Sequence, residues 1–526
     1  MIQYALDLKG LTIPVDKYWN FCVGSCHAAT ALREDYRQML TQCHHDLGFK
    51  YIRFHGLFND DMSVVSRPMF SEELKLSFTN IDNIFDFLLS IGMKPFVELS
   101  FMPEELADSD TTIFHYKGKT SPPKDYEKWE WFIGKFINHI IDRYGRGEVR
   151  SWFFEVWNEP NLGGEGSPFG FWSGSKEEYF KLYKSTANAV KECDGCLKVG
   201  GPATSNNAWL SEFIDFCKKN DAPLDFVSTH QYPTDVVLGY GVEDSANFVN
   251  PLPLDNSERV AEIVNMAKNG GEEFERFKQE YSVFQSHLWE NVERGVLTDM
   301  VKRAVKETSP YPLYYTEWGS LAGMESDSSF GASFIVKTVL DNMGLVKGYS
   351  FWTFSDIVEE DAQNSSEFHG GFGLMTQHAI PKASYRAFEL LNMLEGEFYY
   401  DQILRDGTVD IYSFENNNIN SISLFAVNHN SLLHEISKKD IQVIIPKDKI
   451  VVSAEITVID NDNANACEVW MKNGKKDYLS KGEIEILKGM SELERRPFPF
   501  ECVDDKYIFT FELEPMATAL INIYFE

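Results

Sequence analysis

From Tyr18 to about Glu395 the chain alternates short apolar runs with longer amphipathic stretches. The apolar runs, each closed by a polar or Gly/Pro-containing segment, read as buried strands: Trp19–Ser25, Tyr51–His55, Pro95–Ser100, Arg150–Val156, Leu197–Gly201, Phe226–Gln231, Leu313–Glu317 and Tyr349–Phe354. Between them, apolar residues recur at three- and four-residue spacing, as in Phe132, Phe136, Ile140 and Ile141. That period predicts helices over Asp82–Ile91, Trp129–Tyr144, Glu177–Glu192, Trp209–Lys219 and Phe330–Met343. Eight strand–helix units in succession predict an α/β protein, a (β/α)8 TIM barrel over residues 16–395.

One connection exceeds what such a barrel needs. Residues 233–310 contain a Gly-, Asn-, Asp- and Pro-rich stretch, Gly239–Asn256, and then a highly charged helical region, Glu272–Glu307. An insertion of this size at the site face is either a lid or specificity element or an inert elaboration. After Gly396 the period changes to two. The runs Val409–Phe414, Ser421–Val427, Ile441–Ile445, Val452–Ile459 and Tyr507–Phe511, separated by turns such as Asn416-Asn417-Asn418, predict a C-terminal antiparallel β-sandwich over residues 396–526. Tyr4–Leu8 and Leu11–Val15, within residues 1–15, are strand-like and can join it.

Charge narrows the partners. A formal net charge of −31 argues against nucleic acid and against anionic membrane surfaces. No apolar run is long enough to span a bilayer, and no signal peptide is visible. The eight cysteines are scattered; Cys193 and Cys196 form a lone C-x-x-C that reads as structural thiols rather than half a zinc site, so a reducing cytoplasm is expected.

The candidate chemistry lies at two predicted strand ends. The fourth strand runs into Val156-Trp157-Asn158-Glu159-Pro160-Asn161, and the seventh ends in Thr316-Glu317-Trp318. A barrel presents its site at the carboxyl ends of its strands, so Glu159 and Glu317 face one cavity. Two such carboxylates are the minimal equipment for glycoside hydrolysis, one protonating the leaving oxygen while the other attacks or activates water. A glutamate crowded by Trp157 and Trp152 would hold its proton more tightly than in water. Taken singly, either glutamate reads as a salt-bridged strand end.

The motifs together resemble glycoside hydrolase family 39 and, within it, bacterial β-xylosidases. They are Lys50-Tyr51-Ile52-Arg53-Phe54-His55-Gly56, Trp157–Leu162, Ser228-Thr229-His230-Gln231-Tyr232, Thr316-Glu317-Trp318, and Phe351–Asp356 followed by Glu359-Glu360 and Phe368–Leu374. The resemblance implies Glu159 as general acid/base, Glu317 as nucleophile and a covalent glycosyl-enzyme. It also implies Asn158 on the sugar 2-hydroxyl, and His55, His230 and Tyr232 around the reacting sugar. Trp352 would be a platform under the ring, one or both of Glu359 and Glu360 would bind hydroxyls, and Phe114 would form a wall. Two features depart from the family pattern: Gly319-Ser320 follows Trp318 where an asparagine-containing continuation is usual, and the connection before the seventh strand is long. Both bear on the sugar rather than on the reaction.

The expected activity is therefore a retaining, exo-acting hydrolase that releases xylose from non-reducing ends of xylo-oligosaccharides. The alternatives are the same mechanism on a β-glucoside, β-galactoside or arabinoside, or an inactive carbohydrate-binding protein. A uronate substrate would need a basic clamp, and no Arg/Lys cluster accompanies the motifs. The chemistry requires no metal or organic cofactor. The expected partner is an oligosaccharide or small glycoside, and self-association through the C-terminal region stays open.

Overall fold

A computed structural model describes residues 1–71, 73–164, 170–235, 257–360 and 363–526. The barrel strands are β1 (Cys22–His27), β2 (Tyr51–His55), β3 (Lys94–Glu98), β4 (Phe153–Glu155), β5 (Lys198–Thr204), β6 (Phe226–Gln231), β7 (Leu313–Trp318) and β8 (Gly348–Phe351). They pair in parallel, in chain order, and close β8 onto β1. All eight lie where expected, with ends shifted by up to three residues, and the starts of two show why. The first begins at Cys22, because Tyr18–Asn20 forms a short 3-10 turn. The fourth is only Phe153–Glu155, because Arg146–Val149 still belongs to a short helix. Helices fall close to where periodicity puts them. Tyr126–Tyr144 starts at Asp125, whose carboxylate accepts from the amides of Glu127 and Lys128, and Lys176–Cys193 starts at a reciprocal Ser175–Glu178 capping box.

The pleat period of two builds the barrel interior in layers. At the amino-terminal end Phe96, Phe153 and Phe226 cluster with Cys22, flanked by Phe21, Tyr51 and Tyr314; Phe96 and Phe153 stack at 5.3 Å. Two residues further along β2, β3 and β4 stand Arg53, Glu98 and Glu155, all fully buried, with Phe153 and Glu155 in register with Phe96 and Glu98. The intervening Ile52, Val97 and Phe154 belong to the larger core shared with the helices. An aromatic plug below and a helix-covered wall outside thus keep water from the charged layer, which leads straight to the mouth of the barrel.

The C-terminal region is two packed sheets. One has the order Ile2–Ala5, Lys439–Pro446, Lys506–Leu513, Glu501–Val503; the other is eight-stranded and includes Thr12–Pro14, Val409–Asn416, Ser421–Asn428, Val451–Ile459 and Ala517–Phe525. Both amino-terminal segments join them. Ile2–Ala5 pairs with Lys439–Pro446 in parallel, whereas the strands within residues 396–526 pair with one another antiparallel, as expected. The sequence reading also misses two helices, Ala466–Lys472 and Lys481–Met490, which share a small core with Phe368 and Ile380 of the barrel loops. The helix Ser329–Asp341 is buried on every side, because the barrel covers one flank and the eight-stranded sheet the other. The charged region expected over Glu272–Glu307 is two helices, Glu272–Glu290 and Val296–Thr308, whereas Gly239–Asn256 lies outside the described residues. Among the described residues no helix is long and apolar enough to cross a membrane.

A second buried ion cluster holds the loop after β8. The Lys382 ammonium lies 2.5 Å from Asp327 and 2.7 Å from Asp356, all three out of solvent, and it donates to the Gly371 carbonyl. The amides of Gly370 and Gly373 donate to Asp327 and Asp356 at 2.7 Å each. Replacing Lys382 by Met would leave two carboxylates buried against each other. We expect a loss of about 3–5 kcal/mol of unfolding free energy, read from urea denaturation; a loss below about 1 kcal/mol would show that the cluster is not a support.

Candidate active site

Every residue of the mouth sits at or just past a strand end because the strands stop where the alternation stops. His55 ends β2, Glu317 is next to last in β7, His230 is next to last in β6, and Trp352 directly follows β8. After β4 the chain turns sharply: Trp157 and Glu159 both take left-handed backbone angles, φ 74° and 40°, uncommon for side chains of this size. The turn is pinned by the Glu159 amide donating to the Ala203 carbonyl at 2.8 Å and by Asn161 bonding Ser205. It aims the Glu159 carboxyl inward, where only 6% of the residue remains exposed.

Arg53 organises the interior. Its Nε donates to Glu155 at 2.6 Å, Nη1 to Glu317 at 2.7 Å and Nη2 to the Asn158 amide oxygen at 2.8 Å, with Glu98 2.9 Å from Nη2. His55 Nδ1 lies 2.8 Å from Glu98 and Nε2 3.6 Å from Glu317. Burial opposes charge on His55, but the Glu98 carboxylate, helped by Glu317, raises its pKa. Burial would likewise raise Glu98, yet His55 and Arg53 hold it below the usual range. The second Glu317 oxygen accepts from the Tyr232 hydroxyl at 3.2 Å.

Glu159 has the opposite surroundings. Burial pushes its pKa up to about 7, against the charges of His55 and Arg53 and a hydrogen bond from Ser205. Its Oε1 lies 2.9 Å from Nδ1 of His230, an imidazole whose pKa burial lowers to about 4. One donor atom each from Glu159, His230 and Glu317 lie within 4.8 Å of one another, close enough to hold a cation and equally close enough to work on the two sides of one sugar carbon. Asn158 keeps a buried Nδ2 with no partner. Trp352 lies against Gly24, where a Cβ would meet its ring at 2.4 Å, so only glycine lets the indole reach His55 at 4.7 Å between ring centroids.

The structure thus gathers His55, Asn158, Glu159, His230, Tyr232, Glu317 and Trp352. Phe114 stands further out, with Phe171 between it and His55 at centroid distances of 5.4 and 5.7 Å. Glu359 is engaged by Arg33 at 3.3 Å and lies 3.8 Å from His27, and the Glu360 carbonyl accepts from the His115 amide at 2.6 Å. Glu359 therefore stands on the rim rather than beside the carboxylate pair. The sequence reading passes over Arg53, Glu98, Glu155 and Thr316 as site residues. The available signal was a charged or hydroxyl side chain at inward-facing positions of otherwise apolar strands.

A closed parallel barrel whose mouth holds a proton-retaining glutamate opposite an Arg-paired glutamate is the architecture of a two-carboxylate glycoside hydrolase. The family model described as glycosyl hydrolases family 39 matches residues 5–285 and 278–501, and the chain belongs to that family. It is 44% identical to a β-xylosidase of Caldicellulosiruptor saccharolyticus over 97% of this chain and 95% of that one. It is 34% identical to a β-xylosidase of Geobacillus stearothermophilus over 90% and 86%. A monomeric β-xylosidase of Caulobacter crescentus superposes with a TM-score of 0.76 at 27% identity, covering 100% of this chain and 99% of that one.

Because the folded-state pKa of Glu159 is raised from 4.5 to about 7, its contribution to stability is complete below pH 4.5 and is lost as pH rises through 7. Relative to Glu159→Gln, the wild-type protein should lose up to about 3 kcal/mol of unfolding free energy over that window. Urea titrations at pH 4.5, 6 and 8 measure this, and parallel curves would exclude a raised pKa.

Proposed function

We propose that this chain is a retaining, exo-acting β-xylosidase that releases xylose from the non-reducing ends of xylo-oligosaccharides. The observation that carries the reading is the pair of carboxyl oxygens within 4.8 Å, in opposite electrostatic surroundings. Retaining enzymes place their carboxyl groups about 5–5.5 Å apart and inverting ones about 6.5–9.5 Å. Glu317, clamped by Arg53 and Tyr232, is the nucleophile that attacks the anomeric carbon. Glu159 gives its proton to the leaving oxygen, then takes one from the water that releases the sugar. A group with a pKa near the working pH serves both steps. The unpartnered Nδ2 of Asn158 supports its donating to the sugar 2-hydroxyl, a contact that strengthens in the transition state. His55 and Tyr232 hold the nucleophile, Trp352 floors the ring, and Phe114, Glu359 and Glu360 border the entrance. That all eight cysteines are free thiols supports a reducing, cytoplasmic setting.

A second reading, the same mechanism on a glycoside carrying a hydroxymethyl group, is favoured by one observation. Beside Tyr232 and Trp352 a cavity of about 210 Å³ opens between Gly319, Ser320 and the Gly370–Gly373 loop. A sugar with more bulk has room there, whereas a closed wall would reject it by clash.

A panel of p-nitrophenyl glycosides, with proton NMR of the first anomer released, decides between them. The expected result is β-xyloside cleavage with β-xylose formed first; faster β-glucoside or β-galactoside cleavage selects the second reading, and α-xylose first would overturn retention. Glu317→Ala should lose at least about 10⁴-fold in kcat. Glu159→Ala should keep kcat/KM on activated aryl xylosides and be rescued by azide to a β-azide product; without rescue, Glu159 is not the acid/base.

A further inference from the structure

The hydrogen atoms between Arg53 and Glu159 can be counted, and the count assigns a role to a residue that touches neither the sugar nor the catalytic carboxyls. Thr316 has one hydroxyl hydrogen. Its Oγ1 lies 2.8 Å from Glu155 Oε1 and 3.1 Å from His230 Nε2. The other Glu155 oxygen accepts from Arg53 Nε, and a carboxylate so paired has no hydrogen to give. The Thr316 hydrogen therefore goes to Glu155, and the contact to His230 requires the hydrogen on Nε2. A neutral imidazole with Nε2–H presents a lone pair at Nδ1. That lone pair faces Glu159 Oε1 at 2.9 Å, a contact that is a hydrogen bond only while Glu159 carries the proton.

We propose that Thr316 is a positioning residue whose hydroxyl, by donating to Glu155, fixes His230 as the Nε2–H tautomer and so turns an acceptor nitrogen toward the Glu159 carboxyl. The proposal rests on the reading of Glu159 as the acid/base. The other groups facing Glu159 are Glu317 from β7, one of whose oxygens lies within 4.8 Å, His55 and Arg53 from β2, Glu98 from β3, and Tyr232 and Asp235 after β6. Those facing His230 are Glu317, whose Oε2 lies 3.6 Å from Nδ1, with Arg53, Glu155 and His55. The two cations favour the ionised form of Glu159, and the acceptor at Nδ1 acts against them. Burial drives His230 neutral, consistent with a tautomer switch rather than a protonated imidazole. After the first half-reaction the same lone pair faces an ionised Glu159, which makes that carboxylate a better base for the attacking water.

Two substitutions perturb the tautomer by different routes. Thr316→Val keeps the shape and removes the acceptor, leaving His230 free to place its hydrogen on Nδ1 and donate to ionised Glu159. In Glu155→Gln the amide oxygen stays on Arg53 and the NH₂ donates to Thr316, whose hydrogen then turns to His230 Nε2 and enforces Nδ1–H. Both should move the basic limb of kcat/KM for xylobiose down by about one pH unit, with a fall of about tenfold at pH 7.5. A dinitrophenyl xyloside, which needs no acid, should show no displacement of its basic limb in either variant, and Thr316→Ser should restore the wild-type profile for xylobiose. The ring-nitrogen signals of ¹⁵N-histidine-labelled protein, assigned by their loss in His230→Gln, read the tautomer without any turnover. Wild type should show Nε2–H and Glu155→Gln should show Nδ1–H. An Nδ1–H wild type, or variants that leave both the signals and the basic limb in place, would overturn the proposal. Should Thr316→Val not fold, Glu155→Gln and Thr316→Ser decide it. Failure of azide rescue in Glu159→Ala would remove the acid/base reading, while the nitrogen signals would still report on the tautomer.

Discussion

The site depends on one buried guanidinium. Arg53 is wholly out of solvent and binds, with a single planar fork, groups carried by β3, β4, β7 and the turn after β4. Burying such a charge is strongly unfavourable unless its hydrogen-bonding capacity is filled, and burying carboxylates beside it is unfavourable without it. Each therefore makes the other tolerable, and the shared geometry fixes how far the strands stand apart at the mouth. Lysine could not replace it: its three N–H bonds leave a single nitrogen, whereas Glu98, Glu155, Glu317 and Asn158 are reached from three separate nitrogens of the guanidinium.

The same layer sets the two carboxyls apart. Glu317 takes the Arg53 and Tyr232 hydrogen bonds, while Glu159, beside His230, has desolvation as its strongest influence. The division needs no difference in residue type. It arises because β2 delivers a cation to one wall of the barrel and β6 a neutral imidazole to the other. The aromatic plug of Phe96, Phe153 and Phe226 makes both effects large by excluding water from below.

Outside the barrel, the sandwich and its two short helices support the mouth from the side. Phe368 and Ile380, in the loop after β8, share a small core with Trp470 and Leu487, while Lys382 and its two aspartates tie the same loop. That loop also borders the cavity next to Trp352. The shape of the sugar site is thus set partly by residues more than a hundred positions away in the chain.

Much of this was legible in the linear pattern. Short apolar runs and period-3.6 hydrophobicity determined eight strands and their helices, since each element must bury its apolar surface whatever it packs against, and the carboxyl-end position of Glu159, Glu317, His55, His230, Tyr232 and Trp352 followed. The family motifs singled out the candidate site residues. Tertiary structure alone decided the rest, because it turns on distances between strands remote in sequence. Arg53, Glu98 and Glu155 look like isolated charges until closure of the barrel brings them within hydrogen-bonding reach. Thr316 is one hydroxyl among many until Glu155 and His230 flank it. Ile2–Ala5 reads as a strand by itself, but its parallel pairing with Lys439–Pro446 is a matter of where the chain returns. Local pattern determines what a segment buries; only packing determines which charges must share that burial, and that sharing sets the chemistry.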